Sequence, residues 1–247
     1  MFPLKDNIPT ERFPVVTVAL IVANALMYLF FQKALGGGVW DPSGEQAFRC
    51  NVKEFGAVPR EFADSAYELD ACGGENVSRW ITPFTSMFMH GSLLHLGGNM
   101  LFLWIFGNNV EDAMGRVKFV IFYLLGGLAA IVAQTVTDTD VTIPTVGASG
   151  AVAAILGAYL LLHPRARVVT VIFLVVFFTI IEIPAMAFLL IWLVQQLFFA
   201  SLEFAQPTAD GQGGGVAYFA HIGGFVFGLA LIKVFARRKR EERPLFG

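Results

Sequence analysis

Charge is scarce in this chain: Asp, Glu, Lys and Arg make up only 15% of 247 residues, against about 25% in an ordinary soluble domain. No C-x-x-C pair accompanies the two cysteines, and no H-E-x-x-H stretch occurs, so neither a zinc-finger type of site nor a zincin is expected. Acidic residues are missing from the apolar runs that carry His95 and His221, which argues against a hydrolytic metal centre and against an ion-coupled transport path. What fills the space is apolar. Hydrophobic residues reach 56%, Phe alone numbers 25, and mean hydropathy is +0.65. A helix needs about 20 largely apolar residues to cross a bilayer, and the long runs between the charge clusters predict an all-α, polytopic membrane protein.

Six candidate spans stand out: Pro14 to Phe31, Leu93 to Phe106, Phe119 to Val136, Ser149 to Leu162, Pro184 to Phe204 and Ala217 to Phe235. Pro14 suits a first helical turn. The run after it outlasts a signal-peptide core and lacks a clean small-x-small site, so it reads as a retained anchor. Residues 36–92 form a large polar first loop, too long to be idle, with a helix expected around Pro59 to Leu69. Cys50 and Cys72 both fall in that loop. In an oxidising compartment they would close a loop of about 20 residues, contributing ~3 kcal/mol; otherwise they are two unrelated thiols. The β-branched and aromatic run Val168 to Ile183 is too short to span and reads as interfacial or re-entrant.

With six spans, one side of the membrane receives 12 of the 17 basic residues. Short segments rich in Lys and Arg stay in the cytoplasm. Residues 1–13 and the basic tail 236–247 are therefore expected to be cytoplasmic, 14–235 to form the membrane domain, and the first loop to be extracytoplasmic. A plasma or inner membrane is the expected location.

Polar groups inside such spans are costly and usually face the bundle interior. Gly147-Ala148-Ser149-Gly150 opens a helix that His163-Pro164 ends. At about 1.5 Å per residue it covers about 21 Å, against roughly 30 Å of hydrocarbon. Anchored at the cytoplasmic face, it would start inside the membrane and place Ser149 at a submerged N-terminus. Free amides and the helix dipole there favour developing negative charge, and Gly147 and Gly150 leave room for a substrate backbone. An ordinary N-cap serine after a glycine turn would look the same. His221 shares a face with Gly224 and Gly228, and Ala153 and Gly157 follow Ser149 at spacings of four. Such small faces let two membrane helices pack backbone to backbone and bring a Ser and a His within reach. His95 and Asn99, at i and i+4, point the same way and could donate to an oxyanion. His90 reads equally as a structural loop histidine.

The ordered set His90-Gly-Ser-Leu-Leu-His95-Leu-Gly-Gly-Asn99, Glu111-Asp-Ala-Met-Gly115, Gly147-Ala-Ser149-Gly150 and Ala220-His221-Ile-Gly-Gly224-Phe-Val-Phe-Gly228 resembles the rhomboid family of intramembrane serine proteases. The resemblance implies a six-transmembrane-helix bundle with Ser149 as nucleophile and His221 as general base. It implies that His95, Asn99 and the Ser149 amide hold the oxyanion, and that Glu111 and Gly115 brace the turn after the second span. It also implies transmembrane segments of other proteins as substrates, a small residue at the cleaved position, and the fifth span as the side of lateral entry. Two positions depart from the family pattern. Arg79-Trp80 reverses the usual Trp-Arg order, which argues against a loop-bracing role for Arg79. Ala153 stands where some members place a Tyr against the histidine, so something else must orient His221.

The expected chemistry is serine acyl transfer by a two-residue apparatus. No metal, no cofactor and no nucleic-acid partner is expected; the partners are the lipid bilayer and membrane-protein substrates. The alternative is a catalytically inactive rhomboid-like chaperone or adaptor that binds transmembrane helices, although such relatives typically lack the Ser or the His.

Overall fold

The computed structural model describes residues 2–32, 43–67, 77–174, 177–205 and 216–236. Strand β1 (Phe2–Asp6) precedes α1 (Val15–Leu26), which runs on as a π-helical turn through Gln32. Pro14 lies just outside α1, at its N-cap. The first loop carries α2 (Ser43–Phe55) and α3 (Pro59–Ala63). Next come α4 (Thr82–Thr85), α5 (Leu93–Phe102) with a π-helical turn to Gly107, α6 (Asn108–Met114) and α7 (Arg116–Thr137). Helix α8 (Ser149–Leu162) leads into β2 (Arg167–Leu174) and β3 (Phe177–Pro184), then α9 (Ala185–Ala205) and α10 (Tyr218–Phe235).

Among the described residues, four helical stretches are long and apolar enough to cross a membrane: Val15–Gln32, Arg116–Thr137, Ala185–Ala205 and Tyr218–Phe235. Helices α5 and α8 are shorter. Helix α8 is apolar all round, the mark of a buried helix, and every residue from Gly150 to Leu160 is buried. Its neighbours approach closely because the facing side chains are nearly absent. A Cβ on Gly224 would run into the carbonyl of Gly150, one on Gly228 into that of Ala154, and one on Gly157 into that of Phe225. The α8–α10 seam is therefore backbone on backbone, and contact at that range is what holds membrane helices together when lipid is as apolar as Leu.

Glu111 on α6 ties α1 to the bundle. Its carboxylate accepts the amides of Val16 at 3.0 Å and Thr17 at 2.7 Å, and the Thr17 hydroxyl at 2.8 Å. The two amides are first-turn donors that no helical carbonyl can satisfy. Gly115, at φ 82°, makes the turn into α7 in a conformation that L side chains resist.

The expectation of an all-α fold is corrected. The chain is mostly helical, but β1, β2 and β3 form an antiparallel sheet in that order. Phe2 pairs with Val171, and Phe173 with Phe178. The Val168–Ile183 run is β-branched and aromatic, a composition that favours strands. Its alternation sends Val168 and Thr170 inward. Folding it as a hairpin satisfies backbone groups that a run too short to span could not leave bare in lipid.

The first loop is more structured than the expected Pro59–Leu69 helix, which stops at Ala63 while α2 was not anticipated. The loop matters because it clamps the segment leading to Ser149. Ala57 and Thr145 exchange backbone hydrogen bonds at 3.1 and 2.7 Å, and the Arg60 amide donates to the Val141 carbonyl at 3.1 Å. Arg79 braces this loop after all, despite the reversed order, by donating to the Glu61 carbonyl at 2.8 Å. Cys50 lies in α2, whereas Cys72, like residues 237–247 of the basic tail, lies outside the described residues.

Candidate active site

Ser149 is the first residue of α8, and no side chain caps that helix. The segment before it is held in place by two contacts. The Gly147 amide donates to the Ser86 carbonyl at 2.9 Å. The Ala148 amide approaches His90 Nε2 at 3.5 Å. His90 is fixed in turn by Gln32 at the end of the first helix, whose side chain accepts the His90 amide at 2.9 Å and donates to its carbonyl at 3.1 Å. Burial, reinforced by the neighbouring His95, pushes the His90 imidazole down to about 3, so it stays neutral and can accept the Ala148 N–H. Of the two readings of His90, the structural one describes its surroundings.

Gly147, at φ 125°, carries the chain into the helix. A Cβ there would sit 2.7 Å from His95 Nε2 and 3.5 Å from Asn99 Nδ2. The two α5 side chains thus converge on the residue two before Ser149. His95 is steered by the Gly91 amide, which donates to Nδ1 at 3.4 Å, leaving Nε2 toward the loop. Asn99 is 8% exposed, and among the described residues its Nδ2 has no hydrogen-bond partner. A buried donor left unmade costs about 1–3 kcal/mol, and its occurrence beside a cavity calls for an acceptor to arrive. The two glycines are not spare room for substrate, as the sequence suggested. Gly147 yields to His95, and a Cβ on Gly150 would collide with Ala130 of α7.

A cavity of about 980 Å³ opens over this helix end, lined by His95, Asn99, Ser149, Ala153, Trp192 and His221 among others. His221 reaches it from the first turn of α10. The start of α10 is pinned by Gln134 of α7, whose side-chain oxygen accepts the Ala220 amide at 3.1 Å. His221 Nδ1 lies 2.8 Å from Gln196 Oε1 of α9, and Trp192, one turn earlier on α9, stacks obliquely at 6.0 Å between ring centroids. Among the described residues no hydrogen bond joins Ser149 to His221; the two share the cavity wall. No group of three or more His, Cys, Asp or Glu among the described residues could hold a metal ion.

Of the sequence candidates, Ser149, His221, His95 and Asn99 come together at this cavity, with Gly147 beneath it. Gly150, Gly224 and Gly228 lie in the helix seams, and Glu111 and Gly115 stand apart at the α1–α6–α7 junction. Gln134, Trp192 and Gln196 were missed. Their signal was an amide or an indole inside an apolar run, weaker than a charge because neutral groups are tolerated in spans when hydrogen-bonded across helices.

Residues 77–238 match the family model of the rhomboid domain. The chain is 29% identical over 157 residues to rhomboid protein 1, mitochondrial, of Saccharomyces cerevisiae, covering 62% of this chain and 41% of that protein. It is 32% identical over 104 residues to presenilin-associated rhomboid-like protein A, mitochondrial, of Danio rerio, covering 41% and 27%. With presenilin-associated rhomboid-like protein, mitochondrial, of Mus musculus it shares 36% identity over 94 residues, covering 37% and 25%. The matched stretch spans less than half the length of each of these relatives.

Proposed function

The chain belongs to the rhomboid family, and from that premise we propose that this multi-pass membrane protein is an intramembrane serine endopeptidase acting on transmembrane segments of other proteins. The observation that carries the reading is the unpartnered, buried Asn99 amide facing the same cavity as Ser149 and His221. In this reading His221 takes the Ser149 proton, the serine oxygen attacks a peptide carbonyl, and the tetrahedral oxyanion accepts hydrogen bonds from Asn99 Nδ2, His95 and the Ser149 amide. His221 then protonates the leaving amine, and water attacks the acyl-enzyme by the same base. The reading does not require a preformed Ser149–His221 hydrogen bond, since catalytic hydrogen bonds often tighten only in the Michaelis complex. The cavity lining includes polar loop residues such as Asp138 and Thr145, which offer water a route to a submerged helix end.

The finer topology belongs to the same proposal. Helices α1, α5, α7, α8, α9 and α10 form six spans, with α5 and α8 too short to cross alone. The domain division at 14–235, cytoplasmic termini, an extracytoplasmic first loop and a Cys50–Cys72 bridge complete it. The site is a plasma or inner membrane; the relatives named above are mitochondrial proteins by name.

The test is cleavage of a tagged transmembrane substrate in proteoliposomes by wild type, Ser149→Ala and His221→Ala. Product from wild type alone, with rates falling by at least ~10³-fold in both variants, is expected. Product from either variant at wild-type rate removes that residue from the apparatus. No product from wild type, with all three proteins folded, would move the protein to the substrate-binding, non-catalytic class.

A further inference from the structure

Among the described residues no carboxylate is hydrogen-bonded to His221, and a base held in that way still needs its proton placed. Neutral imidazole carries one N–H, and only the other nitrogen can take a proton from serine. His221 Nδ1 lies 2.8 Å from Gln196 Oε1, and a carbonyl oxygen only accepts. With the amide so oriented, the hydrogen of His221 resides on Nδ1 and the lone pair on Nε2.

We propose that Gln196 is the positioning residue of this site, holding His221 in the tautomer and orientation that leave Nε2 free to receive the Ser149 proton. The inference rests on the protease reading above for its functional consequence, though not for its geometry. Three observations carry it. Gln196 is 7% exposed, so its amide is shielded from competing water and the bond is stronger than a surface one. Trp192 precedes it by four residues and so lies on the same face of α9. Its indole stacks on His221 and also on Phe225, at 6.0 and 5.8 Å between centroids, so the imidazole is gripped at its face and at one edge by a single helix. From α8 the cavity wall offers only apolar residues beyond Ser149, Ala153 among them, and none can hold a ring nitrogen. The role left open at Ala153 is therefore filled from α9. Gln196 touches no reacting atom in this scheme; it acts through His221.

The discriminating pair is Gln196→Met, similar in length without an acceptor, and Gln196→Glu, which keeps an acceptor oxygen. Cleavage of a transmembrane substrate in proteoliposomes should show Gln196→Met losing about 10- to 100-fold in kcat, as for other misplacements of a catalytic group, with KM within about twofold. Gln196→Glu should recover most of that loss. A structural role would predict the opposite pattern, with both variants losing alike and melting earlier. ¹⁵N NMR of histidine-labelled protein reads the tautomer without any activity: protonated Nδ1 and bare Nε2 at His221 in wild type, and a mixture in Gln196→Met. Wild-type kcat in Gln196→Met, or a wild-type tautomer with the proton on Nε2, overturns the assignment. If wild type cleaves nothing, the protease reading fails by itself, and the NMR result still decides whether Gln196 sets the ring.

Discussion

Helix α8 and the β2–β3 hairpin follow one another in the chain and are both rich in apolar residues, yet they meet opposite surroundings. Every residue of α8 from Gly150 to Leu160 is buried, because small residues let α7 and α10 close on it. The hairpin buries Val168 and Thr170 on one face, while Phe173 and Phe178 are 70% and 68% exposed on the other. Hydropathy alone cannot separate the two, since it reports what a side chain prefers and not what covers it. The size of the side chains does. Gly and Ala at four-residue spacing announce a helix that neighbours will enclose, and β-branched and aromatic residues in alternation announce strands with one face left open. The enclosed element carries the candidate site, whose geometry must hold to fractions of an ångström; the open one does not touch it.

The sharpest way to break this comparison is to put a side chain into the seam. A Cβ on Gly228 would run into the Ala154 carbonyl, and backbone on both sides leaves nothing flexible to move. Gly228→Val should force α8 and α10 apart and cost about 3 kcal/mol or more, lost as monodisperse protein and as a much lower unfolding temperature in detergent. A variant that unfolds like wild type would mean that α8 is not enclosed as described. Gly97 is the control: a Cβ there meets nothing within 4 Å, so Gly97→Ala should be neutral or gain up to about 1 kcal/mol.

How much of this was legible beforehand follows the same division. The helical character of the apolar runs, the short α8 starting at Ser149, and the Gly224–Gly228 face all sit in sequence signals whose physics is local. The sheet was hidden because β1 contributes Phe2–Asp6, a stretch that reads as a polar tail until β2, more than 160 residues later, supplies its partner. Its strand character is a long-range fact. At the site, titratable side chains could be picked out by their cost in a membrane, whereas Gln196 could not, because an amide becomes informative only once its partner is known. Gly150 was misjudged for a related reason: the space beside a glycine is occupied or empty according to a helix that the local sequence does not name.

The junction between the two regions tests the comparison more gently. Asp6, at the end of β1, accepts a hydrogen bond from the Tyr159 hydroxyl of α8 at 2.5 Å and one from Asn109 Nδ2 at 2.7 Å. Burial raises the Asp6 carboxyl above the ordinary carboxylate range, with the Tyr159 bond pulling the other way. A carboxyl whose folded value is raised stabilises the fold fully below its unfolded value, and that contribution is lost as pH rises through the folded one. Asp6→Asn keeps an acceptor and removes the charge. The pH-linked difference from wild type should therefore vanish at low pH, with the variant gaining relative stability as pH climbs out of the carboxylate range and levelling off above it. Unfolding temperatures at pH 4 and pH 8 would show this; a variant whose relative stability falls with pH would mean that the charged carboxylate, and not the neutral acid, holds β1 against α8.

The smallest effect is expected on the open face of the sheet. Fully burying a Phe contributes about 1.5–3 kcal/mol, but Phe178 leaves 68% of its surface uncovered by the protein, so most of that is not realised within one chain. Phe178→Ser should then change unfolding stability by less than about 0.5 kcal/mol, even though the same exchange at a buried Phe of the bundle, such as Phe122 at 0% exposure, would be severe. A loss at Phe178 approaching the buried value would mean that something outside the chain covers this face. Its dependence on protein concentration would then identify the cover: a loss that fades on dilution belongs to a second copy, and one that persists in bilayers at any dilution belongs to lipid. Either result would turn the contrast between α8 and the hairpin from covered against bare into covered by protein against covered by the surroundings.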